Sequence, residues 1–556
     1  MKKIILGIGG YTIDSSATLL IDGKLIGSIN EERFTRKKHQ GGWPKNSIEY
    51  LMKLESLKPN DIDYVTFTYD PEIRLKKRLN YCFKNFFYNP YFISKYMFYE
   101  WNFVRKFKKK LSDFSKKTNS QIIYVKHHDA HAASAYFMSD FDKTAYYTID
   151  WRGEWETSTS GTYIDSKLNQ LNRSEYPNSL GLFYNALTQY LGFGSNDEYK
   201  VMGLSSYGSP EFFNDFSEII KVNNGKLLIN NDYIDEFKYP FLKKKFYQKF
   251  GSSRHPRTKL SKHYKNIASS VQKVFEDCAI SQISHLQEIT KLKNLVIAGG
   301  CALNGLMVGK ITEKTKFDKV FVPPAPGDDG LSLGSAFYVN QIVNKKKKYV
   351  YRSASLGTSY SDKAIKKILK DTKLRIIYSK NITKDTALLL KKGKVIGWFQ
   401  GRMELGPRAL GNRSILASPL IKNMKDKINK KIKFRENFRP FAPAVIEEKT
   451  NKFFIYNGKS SYMNIVRPVR EKYKSILPAI THVDGTARIQ TVNKVHAKLF
   501  WKLISEFGKL TKYPILLNTS FNVMGEPIVE NPHQAIKCFE KTDLDYLIIG
   551  NYIIQK

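Results

Sequence analysis

Thr18-Leu19-Leu20-Ile21-Asp22-Gly23-Lys24-Leu25-Ile26 reads as two apolar runs joined by an Asp-Gly pair. A tight primed turn needs positive φ at both central residues, which this pair accepts cheaply, so the stretch predicts a β-hairpin. Upstream, KIILGIGG (3–10) has the pattern of a buried strand and YTIDSSA (11–17) that of a polar turn. The same order returns later in the chain. TAYYTID (144–150) predicts a strand, WRGEWETSTS (151–160) a polar turn, and GTYI-DS-KLNQL (161–171) a second hairpin. Ile164-Asp165-Ser166-Lys167-Leu168 aligns with Ile21-Asp22-Gly23-Lys24-Leu25. The repeated order predicts a duplicated α/β unit.

Duplicated units of this type build actin-like and sugar-kinase-like (ASKHA) folds, which hold a nucleotide between their halves. NLVIAGGCALNGLMVGKI (294–311) continues the pattern as strand, Gly-Gly turn and helix. KVFVPPAPGDDGLSLGSAFYV (319–339) repeats it, with Asp328-Asp329 at a helix start. The run Lys345–Lys348 then breaks the pattern. At 556 residues the chain exceeds one core. The expected division is 1–344 as the duplicated domain, 345–350 as a lysine-rich linker, and 351–556 as a second α/β domain.

Apolar residues make up 42% of the chain, and no run reaches the ~18–20 uncharged residues of a membrane span. The opening MKKIILGIGG imitates a signal peptide, but Gly, Thr and Asp14 follow without a small-residue cleavage site, so a cytoplasmic protein is expected. Four scattered cysteines argue against a disulfide framework or a cysteine zinc site. The 91 Lys+Arg against 51 Asp+Glu leave +40, spread along the chain with no nucleic-acid motif, which reads as a solvating surface rather than a nucleic-acid interface. Residues 81–106 mix aromatic and basic side chains, among them Phe86, Phe87, Tyr91, Phe92, Tyr96, Tyr99, Trp101, Phe103 and Arg105. They suit either a membrane-surface helix or a segment packed into its own domain.

Three constellations carry chemistry. In His127-His128-Asp129-Ala130-His131, residues 127 and 131 are i and i+4, so on a helix both imidazoles reach one ion. Asp150, at a strand end, and Asp328, at a helix start, are the natural carboxylates to complete it. Imidazole with carboxylate suits Fe(II), Mn or Zn without choosing among them. Second, Gly299-Gly300-Cys301-Ala302-Leu303-Asn304 places glycines where backbone amides can approach a phosphate. Third, GRMELGPRALGNRSI (401–415), KFRENFRPFAP (433–443), HVDGTARIQ (482–490) and LLNTSFNVMGEPIV (516–529) set Arg402, Arg408, Arg413, Lys433, Arg435 and Arg439 among glycines, prolines and aromatics. Two like charges about 4 Å apart repel by roughly 4 kcal/mol near a surface, so converging cations imply a multiply charged anion.

These blocks, with IDGKLIGSINEERFTRKKHQGGWP (21–44), HHDAHAASAYF (127–137), SLGLFYNALTQYLGF (179–193), EYKVMGLSSYG (198–208), AGGCALN (298–304) and PPAPGDDG (323–330), resemble the antibiotic and nodulation O-carbamoyltransferase family nearly end to end. The resemblance implies a first domain similar to the tRNA threonylcarbamoyltransferase subunit and a YrdC-like α/β second domain. It implies that carbamoyl phosphate and ATP, with Mg, give carbamoyl-adenylate in the second domain. The first then passes the carbamoyl group to a hydroxyl of a small molecule or glycan beside a divalent ion, Fe(II) by resemblance. By motif, His127, His131, Asp150 and Asp328 look like metal ligands, and Gly299, Gly300 and Asn304 like nucleotide contacts. Arg402, Arg408, Arg413, Lys433, Arg439, Arg488, Ser520 and Asn522 look like the donor and phosphate site, with Lys433 and Arg439 catalytic.

The chain departs from the family pattern twice. Ile13 stands where a histidine serves relatives as candidate base for the acceptor, so Asp14 or His39 becomes the expected base. Trp151 stands where a glycine usually follows the strand-end aspartate. Two other readings use the same folds: a tRNA threonylcarbamoyl-type modification enzyme and a non-catalytic nucleotide-binding protein. Hydrogenase maturation is similar chemistry, but that family carries cysteine zinc fingers and this chain has none.

Overall fold

The computed structural model describes residues 2–70, 72–344, 349 and 351–556, without the side chains of residues 92, 96 and 99–101. The predicted linker falls almost wholly outside them, because Lys345–Lys348 and residue 350 are not described. The chain forms two compact units, Met1–Ile26 with Gly41–Tyr351, and Gly27–Gln40 with Arg352–Lys556. Residues 27–40, expected in the first domain, therefore belong with the second.

The first unit contains two sheets of one design. β1 (Ile4–Gly9), β2 (Ser16–Ile21), β3 (Lys24–Asn30), β4 (Tyr64–Phe67) and β5 (Gln121–Tyr124) lie in the order β3-β2-β1-β4-β5. β6 (Lys143–Ile149), β7 (Glu156–Ile164) and β8 (Lys167–Glu175) are followed by the small hairpin β9 (Ile220–Asn223) and β10 (Lys226–Ile229). β11 (Asn294–Ala298) and β12 (Lys319–Phe321) complete the second sheet in the order β8-β7-β6-β11-β12. In each, the first strand pairs antiparallel with its hairpin and parallel with the fourth. The duplication read from the two hairpins is thus present strand for strand, which is the actin-like, sugar-kinase-like architecture. Both turns have the predicted geometry: Asp22 and Gly23 at φ 51° and 81°, Asp165 and Ser166 at 49° and 65°.

Two buried helices fill the space next to these sheets. His127–Met138 packs on β6, β7 and β11, while Leu331–Asn344 packs on β1, β2 and β4, and the two helices pack on each other. Every residue of His127–Met138 is buried, and small alanines at 130, 132, 133 and 135 permit that density. Glycines set how closely the parts approach. A Cβ on Gly334 would stand 1.8 Å from the Ala130 carbonyl oxygen, and one on Gly9 would stand 2.4 Å from the Ser332 nitrogen.

The second unit is built on one mixed sheet. Its strands are β13 (Arg375–Tyr378), β14 (Ile396–Phe399), β15 (Arg413–Ala417), β16 (Ala442–Ile446), β17 (Ile465–Pro468), β18 (Thr486–Val492), β19 (Ile515–Ser520), β20 (Tyr546–Ile549) and β21 (Tyr552–Gln555). They lie in the order β13-β21-β20-β14-β15-β19-β16-β18-β17. Strand alternation sends Ile396, Trp398 and Leu416 to one core and Phe399, Ile415 and Ala417 to the other, so both faces are covered.

Gly334→Ala forces the two central helices apart. It is expected to lower unfolding free energy by about 1–3 kcal/mol, the usual cost of overpacking, as read by chemical denaturation.

Candidate metal centre and anion pocket

His127 opens its helix, and the next inward-facing turn carries His131. Glu154 sits at that helix start, where its carboxylate accepts the His127 N–H at 3.1 Å and the Asp70 N–H at 3.0 Å. Asp150 follows the end of β6, and Asp328 begins the short turn before Leu331–Asn344. One ligand atom from each of His127, His131, Asp150 and Asp328 lies within 4.8 Å of all the others. His131 Nε2 is 3.0 Å from Asp150 Oδ2 and 3.6 Å from Asp328 Oδ1. His127 Nε2 is 3.7 and 3.6 Å from the same two atoms, and the two ring nitrogens are 3.1 Å apart. Ligands about 2.0–2.2 Å from one ion stand roughly 3.0–3.5 Å from each other. The four atoms fit one divalent ion bound by nitrogen and oxygen.

The electrostatics agree with that geometry. Burial pushes the His131 imidazole down, but its bonds to Asp150 and Asp328 outweigh burial and raise it to about 9. Burial pushes Asp150 up, yet the two histidines hold it well below the usual carboxylate range. Asp150 is oriented by backbone: Trp151 N–H donates to Oδ1 at 2.6 Å and Gly300 N–H to Oδ2 at 3.1 Å. His128, the third histidine of the run, has another task. Its Nδ1 is 2.9 Å from Thr148 Oγ1 and its Nε2 is 3.0 Å from the Glu156 carbonyl; burial, then its two histidine neighbours, lower it to about 3 and keep it neutral.

The Gly-Gly turn is shaped by Asp150. Gly299 has φ 92°, and a Cβ there would stand 2.1 Å from the Ile149 carbonyl oxygen. The Gly300 amide is already given to Asp150. Asn304 caps the helix Gly305–Lys314 through Met307 N–H and exchanges two hydrogen bonds with Gln272. Asp14 lies in the turn after β1 with φ 52°. His39 belongs to the second unit, and its N–H donates to Glu32 at 2.8 Å.

In the second unit the predicted cations divide into two groups. Arg402 donates to the Gly357 and Leu356 carbonyls. Arg413 is fully buried over the Phe399 ring and donates to the carbonyls of Thr358, Gln400, Gly401 and Asn412. Both arginines, expected in the anion site, hold main-chain carbonyls, Arg402 at residues 356–357 and Arg413 around Gly401. The others gather around Lys433 and Arg488. The Lys433 ammonium donates to Ser520 O and Oγ and to Asn522 O and Oδ1 at 2.6–3.2 Å. Burial, then Arg435, Arg439 and Lys38 among its neighbours, lower it well below the ordinary lysine range. Arg488 is likewise lowered by burial and then by Arg408, Arg435 and Arg439. Arg435 lies over the Phe441 ring and donates to Asn429.

Sequence reasoning missed three cations here. Arg36 donates to the Pro527 and Ile528 carbonyls, Arg33 donates to Gly406, and Lys38 acts on Lys433. The signal was the basic run Arg36-Lys37-Lys38, which sits in a segment that reads as the end of a hairpin belonging to the other unit. His482, also unassigned from sequence, is pushed down by burial and sits among Asp484, Arg488 and Lys425. Trp151, Tyr176 and Phe241 form an aromatic wall next to Asp150, with ring centroids 6.1 and 6.4 Å from Trp151 and the Arg152 guanidinium over Trp151 and Tyr176. Phe241 holds φ 69°, an uncommon conformation for a bulky residue.

Residues 4–337 match the family model described as carbamoyltransferase N-terminus, and residues 387–556 match the one described as carbamoyltransferase C-terminus. The chain belongs to the carbamoyltransferase family and is a carbamoyl-transferring enzyme. It is 35% identical to the uncharacterized protein sll1178 of Synechocystis sp. over 99% of this chain and 96% of that protein. It is also 35% identical to the nodulation protein NolNO of Sinorhizobium fredii over 98% of this chain and 79% of that one. Among solved structures, component A of the Acidaminococcus fermentans (R)-2-hydroxyglutaryl-CoA dehydratase overlaps 62% of this chain and all of its own, at 13% identity and a TM-score of 0.35.

Co(II) titrated into the purified chain is expected to give one saturable site with imidazole–carboxylate absorption. His131→Ala should weaken that binding by at least about tenfold, whereas Lys433→Ala should leave it unchanged, as read by visible spectroscopy.

Proposed function

We propose that this carbamoyltransferase is ATP-dependent, draws its carbamoyl group from carbamoyl phosphate, and delivers it as carbamoyl-adenylate to an acceptor hydroxyl. The observation that carries the reading is the group of half-buried arginines around the buried Lys433, whose acting neighbours are mostly further cations. Cations so placed repel one another until an anion with several charges joins them. Carbamoyl phosphate and the triphosphate of ATP are such anions.

In this reading water cleaves carbamoyl phosphate to carbamate and phosphate. The carbamate oxygen attacks the α-phosphorus of ATP, pyrophosphate leaves, and the product is a mixed anhydride. Arg408, Arg439 and Arg488 offset the charge of the phosphate groups, and Lys433, held by Ser520 and Asn522, stands ready for the leaving oxygen. Enclosure protects carbamate, which decomposes readily in water. The acceptor oxygen then attacks the carbonyl carbon, AMP departs, and the hydroxyl proton passes to a base, for which Asp14 is the candidate in the first unit. A divalent ion held by His127, His131, Asp150 and Asp328 would supply Lewis-acid charge at the carbonyl or phosphate oxygen. The glycines of residues 299–300, which present no side chain, would border the adenylate.

On the acceptor side, the wall of Trp151, Tyr176 and Phe241 favours a partner that presents a ring, because aromatic faces attract polarised C–H groups and other rings. Either a sugar or a polycyclic natural product meets that requirement.

Arg439→Ala should reduce carbamoyl-phosphate-dependent pyrophosphate release by about 10²-fold, while His131→Ala leaves that step intact and blocks transfer to an acceptor. Normal pyrophosphate release in the Arg439 variant would overturn the donor assignment. Trp151→Gly should raise the acceptor KM at unchanged pyrophosphate release; mass spectrometry of candidate acceptors incubated with enzyme, ATP and carbamoyl phosphate supplies the assay.

A further inference from the structure

The helices Leu75–Asn85 and Pro90–Thr118 make a hairpin whose root is fixed in the first unit. The Phe107 ring packs on Phe67 and Tyr11, and Trp43 packs on Phe107 and Phe114. On the shorter helix, Tyr81 donates to Glu236 and stacks on Phe237. At the other end Tyr88 and Asn89 donate to Asp235 and to the Phe237 carbonyl, and the outward rings beside them face water. Phe83 is 66% exposed, Phe87 91%, Tyr91 76% and Phe98 71%. Tyr91, Lys95 and Phe98 occupy one stripe, at i, i+4 and i+7, opposite the inward stripe of Ile93, Phe107 and Leu111.

Placing large aromatic rings in water is unfavourable, and a patch of them marks a surface that is covered in use. The charge around the patch indicates what covers it. Residues 74–110 hold eleven lysines and arginines against one acid, Glu100. Arg74, Lys77 and Lys108 pair with Glu156, Glu175 and Glu72, and Arg78 is buried, which leaves the lysines near the exposed rings, Lys84 and Lys95 among them, to set the charge there. A second copy of the same patch would bring cations against cations. A lipid surface with anionic headgroups satisfies both features, because rings enter the headgroup–acyl boundary while lysines meet phosphates. Among the described residues no helix is long and apolar enough to cross a membrane, so the contact lies in the interface plane.

We infer that the tip of this helical hairpin docks the enzyme on an anionic membrane surface through Phe83, Phe87, Tyr91 and Phe98. The inference is independent of the donor chemistry, since none of these residues belongs to either candidate site. The test is sedimentation of the full chain with vesicles of phosphatidylcholine alone and of phosphatidylcholine with phosphatidylserine. The wild-type chain should sediment with the anionic vesicles and far less with the neutral ones. The triple variant Phe83→Ser, Phe87→Ser, Tyr91→Ser should lose at least about tenfold in binding, at unchanged melting temperature and pyrophosphate release. The single variants Phe87→Ser and Tyr91→Ser, each with an intermediate loss, serve should the triple variant melt early. The inference is overturned if the wild-type chain stays in solution beside anionic vesicles. It is also overturned if the variants bind as tightly as wild type, or if wild type forms a dimer that the triple variant abolishes.

Discussion

The approach of Gly334 to the Ala130 carbonyl is the contact on which the first unit depends. It lets the fully buried helix His127–Met138 and the buried first half of Leu331–Asn344 touch backbone to backbone, one packed on each sheet of the duplicated pair. His131 follows Ala130 directly, and Asp328 lies just before the helix that carries Gly334. A side chain at 334 would separate an imidazole from its carboxylate as surely as it would separate the helices. Alanine-rich sequence on one helix and glycine on the other are therefore requirements of the candidate metal centre as much as of the core.

The second unit meets the opposite problem, that of keeping cations together in low dielectric. It uses two solutions in neighbouring places. Arg413 is buried with both terminal nitrogens given to carbonyl oxygens, so its charge holds a loop. Lys433 also receives oxygen partners, but its charged neighbours Arg435, Arg439 and Lys38 still press on it and it is held far from its ordinary titration range. The difference separates an arginine given to carbonyl oxygens from a lysine still pressed by other cations. The fixed loops make the distinction possible, since Arg36 and Arg33 pin the chain at Pro527, Ile528 and Gly406 on either side.

Much of this was legible in the chain itself. Asp22-Gly23 and Asp165-Ser166 announced their turns because positive φ leaves few residue choices, and from two such turns the duplicated sheet follows. His127 and His131 were legible because helical spacing puts them on one face, and the strand-end and helix-start aspartates were the natural partners. The roles of the arginines were not legible. Nothing local tells that Arg413 is the one given to the carbonyls of Thr358, Gln400 and Gly401; that depends on how the Gly401 loop closes, a tertiary fact. Residues 27–40 were assigned to the wrong unit for a related reason: they continue a strand without a break in pattern, and only the carbonyls they reach reveal where they belong. His128 shows the converse limit, since it shares the motif with two candidate ligands yet points to Thr148 and the Glu156 carbonyl.

The chain departs from the family pattern at Ile13 and Trp151, and the hydrogen bonds around Asp150 explain how the structure tolerates the second. Both carboxylate oxygens of Asp150 are oriented by main-chain amides, those of residues 151 and 300. An amide is present whatever side chain position 151 carries. A glycine there can become tryptophan without loosening the carboxylate, provided the ring finds room, and Tyr176, Arg152 and the strained Phe241 provide its surroundings. Position 300 has less freedom, because a Cβ there would come within 3.3 Å of Asp150 Oδ1 and the carboxylate would have to give way. The backbone thus fixes the candidate ligand while the side chain beside it is released to vary.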